Sequence, residues 1–101
     1  MVIDATKLRL ARNIEKERFL DTHRRSAELS AQAQRSLLAG VPMPWMTRWP
    51  GTHPIFVDRA SGARFTDVDG NEYVDFCLGD TGAMTGHALP IVADAISKQA
   101  R

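Results

Sequence analysis

Hydrophobic and polar positions divide the chain into a helical first part and a strand-rich second part. Residues 6–38 lack glycine and proline and are rich in helix formers, which predicts one long helix or two shorter ones, ended by Gly40 and Pro42. Apolar residues recur four positions apart near both ends of this segment, but its middle offers only Phe19 and Leu20 to a core. Such a helix is expected either to pack on another chain or domain, or to stay solvated and be stabilised by pairs of opposite charge.

A segment rich in proline and tryptophan, residues 40–54, follows the helical part. Its four prolines exclude a regular α-helix, which predicts an extended loop. Trp45 and Trp49 carry large rings that need cover. They are expected either to reach into a pocket or interface, or to fill the edge of a core.

Short β-prone runs and turn signals alternate in the next segment. The turn signals Ser61–Gly62 and Asp69–Gly70 separate three such runs, which predicts a three-stranded antiparallel meander. If the last strand continued with period two, Val74, Phe76 and Leu78 would share one face.

A second helical pattern begins at Pro90, a residue that suits the first turn of a helix. It reaches Arg101 without a glycine cap or a terminating proline, as expected of a helix that is cut short. The elements together predict an α+β fold: a long N-terminal helix, a proline/tryptophan loop, a three-stranded antiparallel meander and a C-terminal helix. The predicted division is 1–39, 40–54 and 55–101.

Composition and charge are those of a soluble globular protein, with 44% hydrophobic and 25% charged residues and a net charge of +1. Residues 1–39 carry eight Lys or Arg against five Asp or Glu, an excess too small and too interrupted to predict nucleic-acid binding. No apolar run approaches the ~18 residues of a membrane span, and no signal peptide is evident. The single cysteine, Cys77, cannot form an internal disulfide, which favours a reducing, cytoplasmic setting.

The stretch "FCLGDTGAMTGHALP", residues 76–90, is the clearest candidate for a ligand-facing segment. Its glycine spacing matches neither the dinucleotide fingerprint nor the P-loop. Glycines after a strand let a ligand or another backbone approach closely, but an ordinary strand-to-helix connection explains them equally well. Asp80 and Thr81 are the polar residues best placed to face a ligand from the strand end.

The three histidines, His23, His53 and His87, lie far apart on different predicted elements, so no metal site is predicted. No nucleophile and base stand at a recognisable spacing, and no catalytic residue is predicted in this chain. His87 precedes a helix and is expected to form a structural hydrogen bond rather than to act in catalysis.

Residues 54–96 resemble the amino-terminal segment of class III, pyridoxal-phosphate-dependent aminotransferases, particularly their glutamate-1-semialdehyde aminomutase-like branch. The resemblance as a whole covers about residues 37–101. The shared pattern is an apolar strand, a turn with glycine, aromatic-x-Asp-x-Asp-Gly, aromatic-x-Asp, and a glycine-bearing crossing that ends in Gly-His before a helix. The residues that carry it are Phe56, Gly62, Phe65, Asp67, Asp69, Gly70, Tyr73, Asp75, Phe76, Gly79, Gly82, Gly86, His87 and Pro90.

The resemblance implies that this chain is the N-terminal part of a much longer fold-type I enzyme with a mixed seven-stranded sheet, active as a homodimer. Such enzymes transfer an amino group between an amine or amino acid and a carbonyl acceptor, using pyridoxal 5'-phosphate. Their cofactor-binding lysine and most phosphate contacts lie downstream of the matching segment, so the 101-residue chain is expected to be inactive alone.

The resemblance also assigns residues to the substrate pocket and to the crossing. The substrate-side residues are Met43, Trp45, Met46, Asp80 and Thr81. The residues that shape the crossing are Gly79, Gly82, Gly86 and His87. Met46 stands where the aminomutase has an arginine, with Arg48 two positions on, which counts against the aminomutase reaction. Asp80 replaces an aromatic residue frequent in the family, so an amino group or an ordered water is its expected neighbour.

A free-standing, non-catalytic α+β interaction module is the alternative. It predicts a monomer that unfolds cooperatively. A fragment of a longer enzyme instead predicts exposed apolar surface and aggregation.

Overall fold

The computed structural model describes residues 4–80 and 82–100. These residues form three α-helices, two short 3₁₀ turns and a three-stranded antiparallel sheet, which confirms the predicted α+β class. Their contacts group them into two units, one up to Phe56 and one from Val57 onward. The finer division at residues 39 and 54 stays a prediction.

The helical part of the first unit consists of helix α1, Ala5–Thr22, and helix α2, Arg24–Ala33. Helix α1 begins where the carboxylate of Asp4 accepts the amides of Thr6 and Lys7, at 2.9 and 3.2 Å. This cap satisfies two of the backbone donors that a helix start leaves without partners.

The helix is interrupted at His23, whose backbone leaves helical geometry with φ −131° and ψ 41°. The His23 Nδ1 atom lies 2.8 Å from the carbonyl oxygen of Phe19 and 2.9 Å from Thr22 Oγ1, and the Phe19 ring stacks on the imidazole at 4.1 Å. Side-chain bonds to the backbone of this kind compete with helical hydrogen bonds. The sequence allowed one long helix or two shorter ones, and the structure has two. The second helix ends at Ala33 and does not extend to Gly40.

Helix α1 has no buried residue in the described part of the chain. Three of its apolar side chains are more than half exposed: Leu8, Leu10 and Ile14. Val41 is the one buried hydrophobic residue among those that the structure describes. This exposure agrees with the sparse apolar positions of the segment, and the choice between a helix covered by another chain or domain and a solvated one stays a prediction.

The proline-rich segment contains more local structure than the predicted extended loop. Residues Leu38–Gly40 and Pro44–Arg48 form 3₁₀ turns. Proline is compatible with the first turn of a helix because its missing N–H would be unbonded there in any case. The amide of Met46 donates to the carbonyl of Met43 at 3.0 Å, which closes the second turn.

The second unit contains a sheet in the order β1-β2-β3. Strand β1 is Val57–Ser61, β2 is Arg64–Asp67 and β3 is Glu72–Val74, and both pairings are antiparallel. Phe65 on β2 lies opposite Tyr73 on β3, and their rings stack at 4.7 Å. The predicted meander is confirmed.

Strand β3 ends at Val74, so the predicted continuation of its alternating face to residue 78 is wrong. Phe76, expected on the apolar face with Val74, is 96% exposed. The reason lies in Asp75, whose carboxylate accepts the next free amides, those of Cys77 and Leu78, at 2.9 and 2.7 Å. These bonds turn the chain away from the direction of the strand.

Helix α3, Pro90–Gln99, begins with proline in its first turn, as predicted. Its apolar side chains are exposed, with Ile91 and Ile96 at 77% and 63%. None of the described helices combines the length and apolar character that a membrane span requires.

Candidate substrate-side site

Asp67, at the end of strand β2, organises the turn that leads to the candidate site. It is 1% exposed. Its Oδ1 accepts the amides of Asp69 and Asn71 at 3.0 and 2.8 Å, and its Oδ2 accepts the side-chain amide of Asn71 at 3.0 Å and the Tyr73 hydroxyl at 2.8 Å. A carboxylate that accepts this many hydrogen bonds is stable in its charged form although it is buried.

The charge of Asp67 follows from a balance of two effects. Burial raises the pKa of this carboxyl, but the hydrogen bonds from Asn71 and Tyr73, with the amides of Asn71 and Asp69, outweigh burial and hold the pKa below its usual value. Burial and the bond to Asp67 raise the pKa of Tyr73, so the phenol stays protonated and acts as the donor. A protonated Tyr73 thus donates to a charged Asp67, and this hydrogen bond holds strand β3 against the turn that follows strand β2.

The crossing from β3 to α3 is attached at both ends to the turn between β1 and β2. At its start the Asp75 amide donates to the carbonyl of Ala63 at 2.8 Å. At its end His87 and Gly62 form an antiparallel bridge, with their amides donating to each other's carbonyls at 2.8 and 3.0 Å. The turn that the sequence predicts at Ser61–Gly62 therefore also anchors the crossing.

Asp75 and His87 connect the two ends of the crossing through their side chains. The Asp75 Oδ2 and His87 Nε2 atoms lie 2.6 Å apart, and the two side chains are 11% and 23% exposed. The hydrogen bond to His87 is the largest effect on the pKa of Asp75 and lowers it. Burial, the second largest effect, raises this pKa, but the amides of Leu78 and Cys77 lower it further, so the net shift is downward. His87 thus takes part in a hydrogen-bonded pair, while its lack of a catalytic role stays a prediction.

Between these ends the backbone makes a left-handed turn. Leu78, Gly79 and Asp80 have consecutive φ values of 51°, 64° and 50°. For residues with a side chain this conformation costs roughly 1–2 kcal/mol each. The amide of Ala83 closes the turn by donating to the carbonyl of Leu78 at 2.9 Å. Asp80 is exposed at this turn.

Gly86 permits the crossing to return to the sheet. Its φ is 104°, and a Cβ at this position would lie 3.3 Å from the Cα of Gly62. A side chain would therefore press against the bridge between Gly62 and His87. At Gly82 an added Cβ would lie 3.3 Å from the carbonyl oxygen of Gly79, which makes it a second close contact within the crossing.

Three of the other predicted substrate residues lie in the first unit. Met43, Trp45 and Met46 are brought together by the second 3₁₀ turn; Met43 and Trp45 are 45% and 56% exposed, and Met46 is half-buried. Thr81 lies outside the described residues. The substrate role of all five residues stays a prediction.

Sequence reasoning did not assign roles to Asp67 and Asp75. The signal was present, because an aspartate two residues before a free amide is typical of an Asx turn, and both residues make that bond. Their importance comes from partners that no short pattern specifies, namely Tyr73 for Asp67 and His87 for Asp75.

Comparison with known proteins identifies the family. The sequence model of the family described as "Aminotransferase class-III" matches residues 45–101. The chain belongs to this family. A glutamate-1-semialdehyde 2,1-aminomutase from Sulfurihydrogenibium azorense is 43% identical over 77 residues, which is 75% of this chain but 18% of that protein.

Solved structures of an aminomutase and an aminotransferase show the same fold over this part of their chains. A glutamate-1-semialdehyde aminomutase from Pseudomonas aeruginosa PAO1, in complex with PMP, matches all of this chain and 22% of its own, with 48% identity and a TM-score of 0.90. A β-phenylalanine aminotransferase from Variovorax paradoxus matches 82% of this chain and 19% of its own, with 25% identity and a TM-score of 0.73. The chain thus spans about a fifth of the length of the proteins it matches.

The described residues of this class III chain do not fit pyridoxal phosphate as a covalently held cofactor. Its three lysines, Lys7, Lys16 and Lys98, are all exposed on helices α1 and α3. A lysine that forms an imine needs a lowered pKa, which desolvation in a pocket or a neighbouring cation provides. No step of the chemistry is therefore assigned to a residue of this chain.

Acid is expected to lower the stability of the second unit, because two of its carboxylates, Asp67 and Asp75, accept hydrogen bonds in the folded state. The folded pKa values of Asp67 and Asp75 lie below the ordinary value of 3.8, so the stability they supply is present above that value and is lost as pH falls through the folded values. Thermal unfolding midpoints measured at about pH 7, 5 and 3 should fall between the last two. Asp75→Asn should flatten this dependence and Asp58→Asn should not; equal dependence in all variants would contradict the assignment.

Proposed function

We propose that this chain is the N-terminal part of a pyridoxal-phosphate-dependent class III aminotransferase that moves an amino group between an amine or amino acid and a carbonyl acceptor. The observation that carries the proposal is the match of the complete chain, at 48% identity and a TM-score of 0.90, to an enzyme solved in complex with PMP. When bound, the cofactor supplies the electron sink for this chemistry. The lysine that holds it is proposed to come from sequence outside this chain.

In this proposal the chain supplies substrate contacts. Asp80 presents an exposed carboxylate, which favours an ammonium group as its partner. Met43, Trp45 and Met46 supply an apolar contact surface from one short turn. Thr81 is the remaining proposed contact. The crossing that carries Asp80 is the proposed substrate wall. Its backbone is shaped, without contact to the substrate, by Gly79, Gly82, Gly86 and His87.

The enzyme is proposed to be a cytoplasmic homodimer. Support for a partner surface comes from helix α1, whose Leu8, Leu10 and Ile14 are exposed, and from a groove of about 510 Å³ beside that helix, lined by Phe19 and Trp49. Exposed apolar side chains of this kind support a protein contact, and the charged residues Arg12, Glu15 and Lys16 also line the groove. Cys77 is a free, exposed thiol, in keeping with a reducing compartment.

Two polypeptides from the same coding sequence test the proposal. One is the 101-residue chain and the other is the product of the reading frame continued past Arg101. The longer product is expected to bind pyridoxal phosphate with saturable absorbance and to transfer amino groups from an amine to a keto acid. The chain alone is expected to do neither, because its described lysines are all exposed.

Two results would contradict the proposal. One is a longer product that neither binds the cofactor nor transfers amino groups. The other is a chain that binds the cofactor saturably by itself, with binding lost in a Lys98→Arg variant. A sharp unfolding transition of a monomeric chain, together with a longer product that transfers no amino groups, would instead favour the non-catalytic interaction module.

A further inference from the structure

The proposed substrate wall adopts a backbone conformation that its own residues disfavour. Leu78 and Asp80 carry side chains at φ 51° and 50°, on either side of Gly79. Inside the turn the amides of Asp80 and Ala83 donate to the carbonyls of Cys77 and Leu78 at 3.1 and 2.9 Å. Conformations of this kind persist where surrounding groups impose them, and they cluster at functional sites.

The Asp75 carboxylate supplies such an external constraint. Its Oδ1 accepts the amides of Cys77 and Leu78, at 2.9 and 2.7 Å, at the point where the left-handed turn begins. Its Oδ2 lies 2.6 Å from Nε2 of His87, twelve residues along the chain. One carboxylate therefore connects the start of the crossing to its end.

Both ends of this connection rest on the turn between β1 and β2. Asp75 reaches it through the carbonyl of Ala63, and His87 reaches it through both backbone groups of Gly62. The Asp75 side chain is 11% exposed, whereas Asp80 is exposed. The carboxylate of Asp75 therefore holds the backbone in place, and the carboxylate of Asp80 is accessible to a ligand.

We propose that Asp75 and His87 are positioning residues of the substrate wall: their contact imposes the left-handed turn from which Asp80 meets the amino group of the substrate. The part that concerns the substrate rests on the proposed function, while the part that concerns the turn does not. Neither residue touches the substrate. Both act through the backbone between them.

Amide hydrogen exchange, resolved by residue, tests the turn in the 101-residue chain. The reporter is the amide of Leu78, which donates to the Asp75 carboxylate at 2.7 Å. The internal reference is the amide of Asp67, which donates to the backbone carbonyl of Asn71 at 3.0 Å. The variants are Asp75→Ala, His87→Asn and His87→Gln. Asp58→Asn is the matched control, because it removes an exposed carboxylate from the same unit.

Asp75→Ala is expected to speed exchange at Leu78 about tenfold, the effect of losing a charge-assisted hydrogen bond. His87→Asn should speed it about fivefold, because the asparagine amide corresponds to Nδ1 and does not reach Asp75. His87→Gln should stay within about twofold of the parent, because its amide nitrogen reaches the position of Nε2. The control should leave Leu78 unchanged.

Unchanged exchange at Leu78 in Asp75→Ala, with the Asp67 amide still protected, would overturn the proposal. If Asp75→Ala also loses protection at the Asp67 amide, its effect is not confined to the turn, and the comparison of His87→Asn with His87→Gln decides. Faster exchange in His87→Asn than in His87→Gln supports the proposal, and equal exchange in the two refutes it.

Kinetics of the longer, cofactor-binding product test the part that concerns the substrate. His87→Asn is expected to raise KM for the amino donor about tenfold with kcat within about threefold, and His87→Gln is expected to restore KM. An active enzyme with unchanged KM in His87→Asn would overturn this part. If the longer product binds no cofactor, the proposed function fails, yet the exchange result at Leu78 still decides the role of the Asp75–His87 pair.

Discussion

Replacement of Asp67 by alanine is expected to lower the free energy of unfolding by about 3 kcal/mol, a large effect for a small domain. The Asp67 carboxylate is 1% exposed and accepts hydrogen bonds from Asp69, Asn71 and Tyr73. Removing it deletes the hydrogen bonds that these partly buried donors make to the carboxylate, which is the source of the expected loss. Denaturant titration followed by far-ultraviolet circular dichroism measures the change.

The control for Asp67 is Asp58→Ala, which removes a carboxylate that is 55% exposed in its side chain and pairs with Arg59. This change should stay within about 0.5 kcal/mol of the parent. Asp67→Asn should fall between the two, because the amide keeps one acceptor oxygen. A loss below about 1 kcal/mol in Asp67→Ala would show that the turn does not depend on this carboxylate.

Gly86→Ala is expected to cost about 2–3 kcal/mol, since it adds both backbone strain and a steric contact. Gly86 has φ 104°, and its added Cβ would lie 3.3 Å from the Cα of Gly62. The amide signals of Gly62 and His87 should shift as their bridge opens. Denaturant titration gives the energy, and amide spectra locate the change.

Gly70→Ala separates the two causes, because Gly70 has a similar φ of 87° but no atom within 4 Å of the added Cβ. It should cost about 1 kcal/mol, the strain alone. Equal losses in the two variants would mean that the contact with Gly62 does not constrain the crossing.

The sequence predicted the elements well where glycine and proline mark their limits. The turns at Gly62 and Gly70 and the helix start at Pro90 each follow from a local backbone preference, which acts in the same way in any fold. The interruption of the first helix at His23 is different, because it depends on the side-chain contacts with Phe19 and Thr22. A pattern of helix formers does not report such contacts.

The site was predictable only in part. Family resemblance drew attention to the crossing, but the pairing of Asp75 with His87 joins residues twelve positions apart and depends on the sheet beneath them. The alternation of Val74 and Phe76 predicted a longer strand, and the carboxylate of Asp75 ended it. Period-two patterns describe which face a residue would occupy, not where the hydrogen-bond ladder stops.

The anchoring of the crossing has a consequence for how such an enzyme diversifies. Its fixed points are backbone groups of Gly62 and Ala63 and the side chains of Asp75 and His87, whereas Asp80 and Met84 are exposed and take no part in them. Under the proposed function, new amine specificities can therefore be sought by varying the exposed tip while the anchor is held constant. The φ of 50° at Asp80 restricts that position to residues that tolerate a left-handed backbone, such as asparagine and glycine, whereas Met84 can be varied more widely.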